Sequence, residues 1–104
     1  MDDAQRRVAA FLATHDLHAA PEYRLLDLAS EVGELGKAAA ESTDYGTGED
    51  PAVPEDELGD ALFALLAAAE AFDHDADAAL ETALEKYERR LDERGSAGSG
   101  VEES

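Results

Sequence analysis

The chain reads as all-α, and three observations say so. Apolar residues recur at three- and four-residue spacing through four segments, breaks rich in Gly, Asp and Pro separate those segments, and no stretch alternates as a half-buried strand does. A four-helix bundle follows.

From Asp2 to about Asp16, Val8, Phe11, Leu12 and His15 form the stripe of a first helix, capped by Asp2 or Asp3. Pro21 suits the first position of a second helix, where Leu25, Leu28, Val32 and Leu35 continue toward Ser42. "STDYGTGEDPAV", Ser42 to Val53, lacks any periodic pattern and reads as a loop that could close over a substrate.

Pro54 opens the third helix, with Glu55, Asp56 and Glu57 at the positive end of its dipole. Its stripe is Leu58, Leu62 and Leu65 with Ala61 and Ala68. Phe63 and Leu66 fall on other sides, so this helix is expected to be covered nearly all round, with a second subunit supplying part of the cover. In the fourth helix, capped by Asp75, Leu80, Leu84, Tyr87 and Leu91 repeat at helical spacing up to about Gly95. One helical domain over 1–95 and a short, polar, mobile tail over 96–104 are the expected organisation.

One hundred and four residues, 44% of them apolar, support one modest core and no second domain. The formal charge of −18, from 26 acidic and 8 basic residues, argues against a nucleic-acid partner, because no basic patch can be assembled to neutralise a phosphate backbone. Such self-repulsion suits a salt-adapted, halophilic cytoplasm, where most of the acids are surface adaptation. There is no cysteine, hence no disulfide or thiol chemistry. The amino terminus lacks a signal-peptide core, and the longest uncharged apolar run, Ala61 to Ala69, is too short to cross a bilayer. A cytoplasmic protein with no membrane partner is expected.

"EVGELGK", Glu31 to Lys37, places carboxylates and glycines inside a helix. Each interior Gly costs roughly 1 kcal/mol relative to Ala. On a helical wheel Glu31 and Glu34 project from one flank of the Leu28–Leu35 stripe, and Glu57 and Asp60 repeat the arrangement on the third helix, with Gly33 and Gly59 inside the respective pairs. Packed by their stripes, the two helices would gather four carboxylates. Two such charges about 5 Å apart repel by roughly 3 kcal/mol at an effective dielectric near 20. A hard divalent ion such as Mg²⁺ relieves the repulsion and shares its remaining positions with water and substrate phosphates. Glycines, lacking Cβ, would let a ligand or a neighbouring helix approach closely.

Glu31-Val-Gly-Glu34-Leu followed by Glu57-Leu-Gly-Asp60-Ala-Leu-Phe resembles the Glu-x-x-Glu…Glu-x-x-Asp signature of the MazG-type all-α nucleoside triphosphate pyrophosphohydrolases. "ALETALEKYERRL" resembles the helix that follows in small members, where a Lys and an Arg serve the substrate; Lys86 and Arg90 match them. The resemblance covers about Leu25 to Leu91. It implies a MazG-like bundle that forms a homodimer or tetramer and binds Mg²⁺, or Mn²⁺ in its place, through Glu31, Glu34, Glu57 and Asp60. It also implies cleavage of a (deoxy)nucleoside triphosphate to monophosphate and pyrophosphate, in nucleotide-pool cleaning. Glu34 is the expected general base, and Lys86 and Arg90 the expected phosphate ligands. Three departures stand out: Ser30 where many relatives have a second Glu, Tyr87 where an Asn is frequent, and Asp73-His74-Asp75 in place of a Gly-Ile-Asp turn.

Other readings remain open beside this one. The acids could be salt adaptation of a non-catalytic helical interaction module, or the chain a degenerate relative that binds nucleotide or metal without turnover. His15, His18 and His74 have no spacing that gathers them with the acids, and no Walker-type Gly-rich loop is present. Salt adaptation predicts a melting temperature that climbs from low to molar salt; a flat profile contradicts it.

Overall fold

In a computed structural model of the chain, residues 2–48 and 50–94 are described. They form four helices, α1 (Asp2–Thr14), α2 (Pro21–Ser42), α3 (Glu55–Ala71) and α4 (Ala76–Arg94), with no strand among the described residues. The expected tail over 96–104 lies outside the described residues.

The helix starts follow the sequence closely. Pro21 begins α2 after an extended Ala20, and Pro54, with ψ of 146°, stands one residue before α3 rather than inside it. Asp75 caps α4 as expected, its Oδ1 accepting from the N–H groups of Asp77 at 2.8 Å and Ala78 at 3.3 Å. These bonds hold the Asp75 carboxyl below its ordinary value.

Three helix ends share one device. Asp16, Asp44 and Asp73 adopt left-handed backbone, with φ of 55°, 50° and 59°. The next residue then donates back five positions, from Leu17 to Leu12, Tyr45 to Ala40 and His74 to Ala69. This is the Schellman closure with Asp where Gly is usual, tolerated because a short polar side chain lowers the penalty of that conformation. Beyond α2, Ser42 Oγ accepts from Ala52 N–H at 2.8 Å, so the two ends of the loop are tied together.

The main packing is α2 against α3, with α1 laid on α3. Glu31 lies with Glu57 and Asp60, whereas the earlier Arg24 lines a cavity reaching the later Ala67, so α2 and α3 run antiparallel. The core is small: Val8, Ala61, Ala64, Leu66, Ala67 and Ala68 are its buried apolar residues. The expected stripe of α3 needs correction here. Leu58, Leu62 and Leu65 are 55%, 46% and 49% exposed, while Leu66, expected on another side, is only 2% exposed. Leu66 and the small Ala61, Ala64, Ala67 and Ala68 make up the buried part of α3, and Leu58, Leu62 and Leu65 stay outside within one chain.

The glycines also depart from expectation. A Cβ built at Gly33, Gly36 or Gly59 would meet nothing within 4 Å, so no close approach within the chain accounts for them. α4 packs lengthwise on none of the other helices to an extent comparable with α2 on α3. Its Leu80, Leu84 and Leu91 are exposed. The radius of gyration, 16.8 Å, exceeds the roughly 13 Å of a compact chain of this length.

A polar clamp from α1 holds the base of α4. Gln5, buried on α1, donates from Nε2 to His74 O at 2.8 Å and accepts at Oε1 from Ala76 N–H at 2.7 Å. Replacing Gln5 by Ala strands a partly buried donor and acceptor, each costing about 1–3 kcal/mol. Chemical denaturation of Gln5→Ala should therefore show a loss of about 2 kcal/mol or more; a loss under about 0.5 kcal/mol would show that water replaces the clamp.

Candidate metal and nucleotide site

On α2, the 3.6-residue repeat sets Arg24, Asp27 and Glu31 at i, i+3 and i+7, along one face. On α3, Glu57, Asp60, Ala64 and Ala67 follow the same rule. Antiparallel packing brings these faces together, and Glu31, Glu57 and Asp60 each place one carboxylate oxygen within 4.8 Å of the others. Glu31 and Glu57 are half-buried and Asp60 is exposed.

Three of the four expected metal ligands are thereby assembled. Glu34, one turn beyond Glu31, is exposed and stands outside this trio, yet close enough for its charge to act on Glu57. The Glu57 carboxyl is pushed above its ordinary value, first by desolvation and then by the charges of Asp56, Asp60, Glu34 and Glu31. Uncompensated negative charge is thus concentrated where the two helices meet.

The donor set fits a hard divalent cation. Oxygens bound to one Mg²⁺ at about 2.1 Å lie at most about 4.2 Å apart, so side-chain shifts of under about 1 Å would draw the three carboxylates onto one ion. With three acids and no nitrogen or sulfur ligand, the set matches Mg²⁺ or Mn²⁺ rather than a zinc site.

Beside the trio lies a cavity of about 260 Å³ lined by Arg24, Asp27, Glu31, Asp60, Phe63, Ala64 and Ala67. Phe63 is set edge-on to Phe11, their ring centroids 5.9 Å apart. Glu31 and Asp60 belong to both cavity and carboxylate trio, so a ligand in the cavity reaches the acids directly.

Lys86 and Arg90 occupy neighbouring turns of α4 and gather around Tyr87, with Lys86 Nζ 4.9 Å and the Arg90 guanidinium carbon 5.8 Å from its ring centroid. Arg90 Nη1 is buried without a hydrogen-bond partner. Neither cation lines the acidic cavity. His15 packs at a tilt against Phe11, and His18 pairs with Asp16. None of the histidines joins the acids.

A family model of the MazG nucleotide pyrophosphohydrolase domain matches residues 20–95, a span containing the carboxylate trio, the cavity and α4 up to the Lys86 and Arg90 pair. The chain belongs to the MazG family. Neither the curated proteins nor the solved structures searched contain a significant match. The MazG assignment agrees with the all-helical fold. Among the described residues no helix is long and apolar enough to cross a membrane.

Arg24 and Phe63 escaped the sequence reading. The signal for Arg24 was present, since it stands two turns before Glu31 on the acidic face, but a lone cation in so acidic a chain looks like a surface partner. In the sequence, Phe63 reads as a packing residue on another side of α3.

The crowding at Glu57 has a stability consequence of defined sign. A carboxyl with a raised folded-state value favours its neutral form on folding, so the metal-free fold is penalised above that value and relieved as pH falls through it. Glu57→Gln, without added metal and with chelator present, should melt at a higher temperature than the parent at pH 7, and the gap should close below the ordinary glutamate range. A lower melting temperature at pH 7 would show that the Glu57 charge is already compensated within the chain.

Proposed function

We propose that the chain is a divalent-metal-dependent pyrophosphohydrolase that cleaves (deoxy)nucleoside triphosphates to monophosphate and pyrophosphate and so clears nucleotide pools. The convergence of Glu31, Glu57 and Asp60 across α2 and α3, in a chain of the MazG family, carries this reading.

In it, Glu31, Glu57 and Asp60 hold Mg²⁺, or Mn²⁺ in its place. When bound, such an ion offsets the charge of the phosphates and lowers the pKa of a coordinated water. Glu34 is at the edge of the trio and not committed to it, so its carboxylate is available to orient the attacking water and accept its proton.

Lys86 and Arg90 are assigned to the phosphate tail. They are one turn apart, the first a compact charge and the second a fork suited to two phosphate oxygens. The Tyr87 ring lies against both cationic groups. Because α4 stands apart from the acidic cavity of its own chain, this role goes together with self-association, as a homodimer or tetramer.

Uncovered apolar residues support that assembly. Leu58, Leu62 and Leu65 on α3, Leu25, Leu26 and Val32 on α2, and Leu80, Leu84 and Leu91 on α4 are all exposed. So many large apolar side chains left in water are unfavourable at roughly 25 cal/mol per Å², and a second copy that covers them recovers that energy.

The catalytic test is direct. Purified protein with Mg²⁺, molar salt and a panel of nucleoside triphosphates should release pyrophosphate. Glu34→Gln should lower turnover by about 100-fold or more while leaving Mn²⁺ affinity within a few-fold, the pattern of a lost general base. Asp60→Asn should weaken Mn²⁺ binding itself. Absence of pyrophosphate from every nucleotide, with no Mn²⁺ binding, would leave a helical interaction module; Mn²⁺ or nucleotide binding without turnover would indicate a degenerate relative. Static light scattering at molar salt should give a mass at least twice the 11.0 kDa of one chain, and a monomeric mass would contradict the assembly.

A further inference from the structure

The cavity beside the acidic trio contains a polar pair that the phosphate chemistry does not use. Arg24 donates from Nη2 to Leu17 O at 3.1 Å, an exposed hydrogen bond that tethers one edge of its guanidinium. Asp27 lies three residues on, about 4.5 Å along the helix axis. The two line the same cavity and yet form no ion pair with each other or with any other described residue. One end of the cavity therefore offers N–H donors and a carboxylate acceptor side by side, and Phe63 adds an aromatic wall.

At about 260 Å³ the cavity is below the usual 300–1,000 Å³ of pockets for drug-sized ligands, so it suits a ring system rather than a whole nucleotide. A ring seated there leaves sugar and phosphates toward Glu31 and Asp60, at the other end. Arg24 is the cavity's one cation and Asp27 sits beside it, so this end carries little net charge and is a poor place for phosphate.

The order of hydrogen-bonding groups then selects the ring. Guanine presents two acceptors, N7 and O6, followed by two donors, the N1–H and the 2-amino group. An Arg fork matches the first two, as it does at guanine edges generally, and a carboxylate matches the second two. Adenine places an amino donor where guanine has O6, opposite the Arg donors. Cytosine has a single amino donor for the carboxylate, and its smaller ring covers less of Phe63.

We propose that Arg24, Asp27 and Phe63 form the base subsite of this chain and select guanine nucleotides. This rests on the pyrophosphohydrolase reading of the adjoining acids for its orientation of the nucleotide, whereas its binding consequences can be measured separately.

The experiment is calorimetric titration of the full chain with GMP, AMP and CMP in Mg²⁺ and molar salt, alongside pyrophosphate release from GTP, ATP and CTP. GMP should bind about tenfold or more tightly than AMP and CMP. Arg24→Met, which keeps the apolar stem, and Asp27→Asn should each weaken GMP by roughly 10- to 100-fold, with AMP changed less than about threefold. Mn²⁺ affinity and melting temperature of the two variants serve as controls for folding and for the acidic site, and should stay near the parent values. Equal affinity for the three monophosphates overturns the proposal, as do variants that weaken GMP and AMP alike. Pyrophosphate release with no base preference removes the subsite and leaves the enzymatic reading standing. Selective GMP binding lost in both variants, with no triphosphate hydrolysed, does the reverse.

Discussion

The structure depends on one electrostatic constraint: packing α2 on α3 in antiparallel sense forces three carboxylates within 4.8 Å of one another. The same packing buries the alanine face of α3, so the fold cannot gain that core without accepting the repulsion. Desolvation and four neighbouring acids push the Glu57 carboxyl upward, the local sign of this conflict. Placing a divalent cation among the three oxygens turns the conflict into an attraction, and a MazG chain has a chemical use for such an ion.

A second feature is how little of the apolar surface one chain covers. Its core is built mostly from alanines around Leu66 and Val8, and the larger leucines lie outside. α4 is fixed at its base by Gln5 and then projects, carrying Lys86, Tyr87 and Arg90 with it. The proposed assembly would cover those hydrophobic faces and bring the Lys86 and Arg90 pair to an acidic cavity. Alanine-rich helices and a charge of −18 are compatible with this, because salt screens the long-range repulsion between copies while short-range apolar contact is retained.

Much of the fold was legible because helical period, proline starts and the Asp75 cap are local signals. The spacing of Glu31, Glu57 and Asp60 beside apolar stripes was legible for the same reason. The burial pattern of α3 was not. Wheel positions show that Leu58, Leu62 and Leu65 share a face, but whether that face meets α2 or another copy is a tertiary choice, and here the smaller alanines win the close contact. Gly33 and Gly59 suggested a close approach, whereas open space surrounds them in one chain. Arg24 looks ordinary in the sequence, and only the folded chain shows that it lines one cavity with Asp27 and Phe63. The left-handed aspartates at Asp16, Asp44 and Asp73 were likewise concealed, since Asp is common in this chain and unusual as a helix-closing residue.

The most direct measurement is the anomalous scattering of Mn²⁺ in crystals of the protein. The account predicts a peak between α2 and α3, within coordination distance of oxygens from Glu31, Glu57 and Asp60. Well-ordered crystals grown in millimolar Mn²⁺ with no peak there, and the three side chains turned apart into solvent, would contradict it.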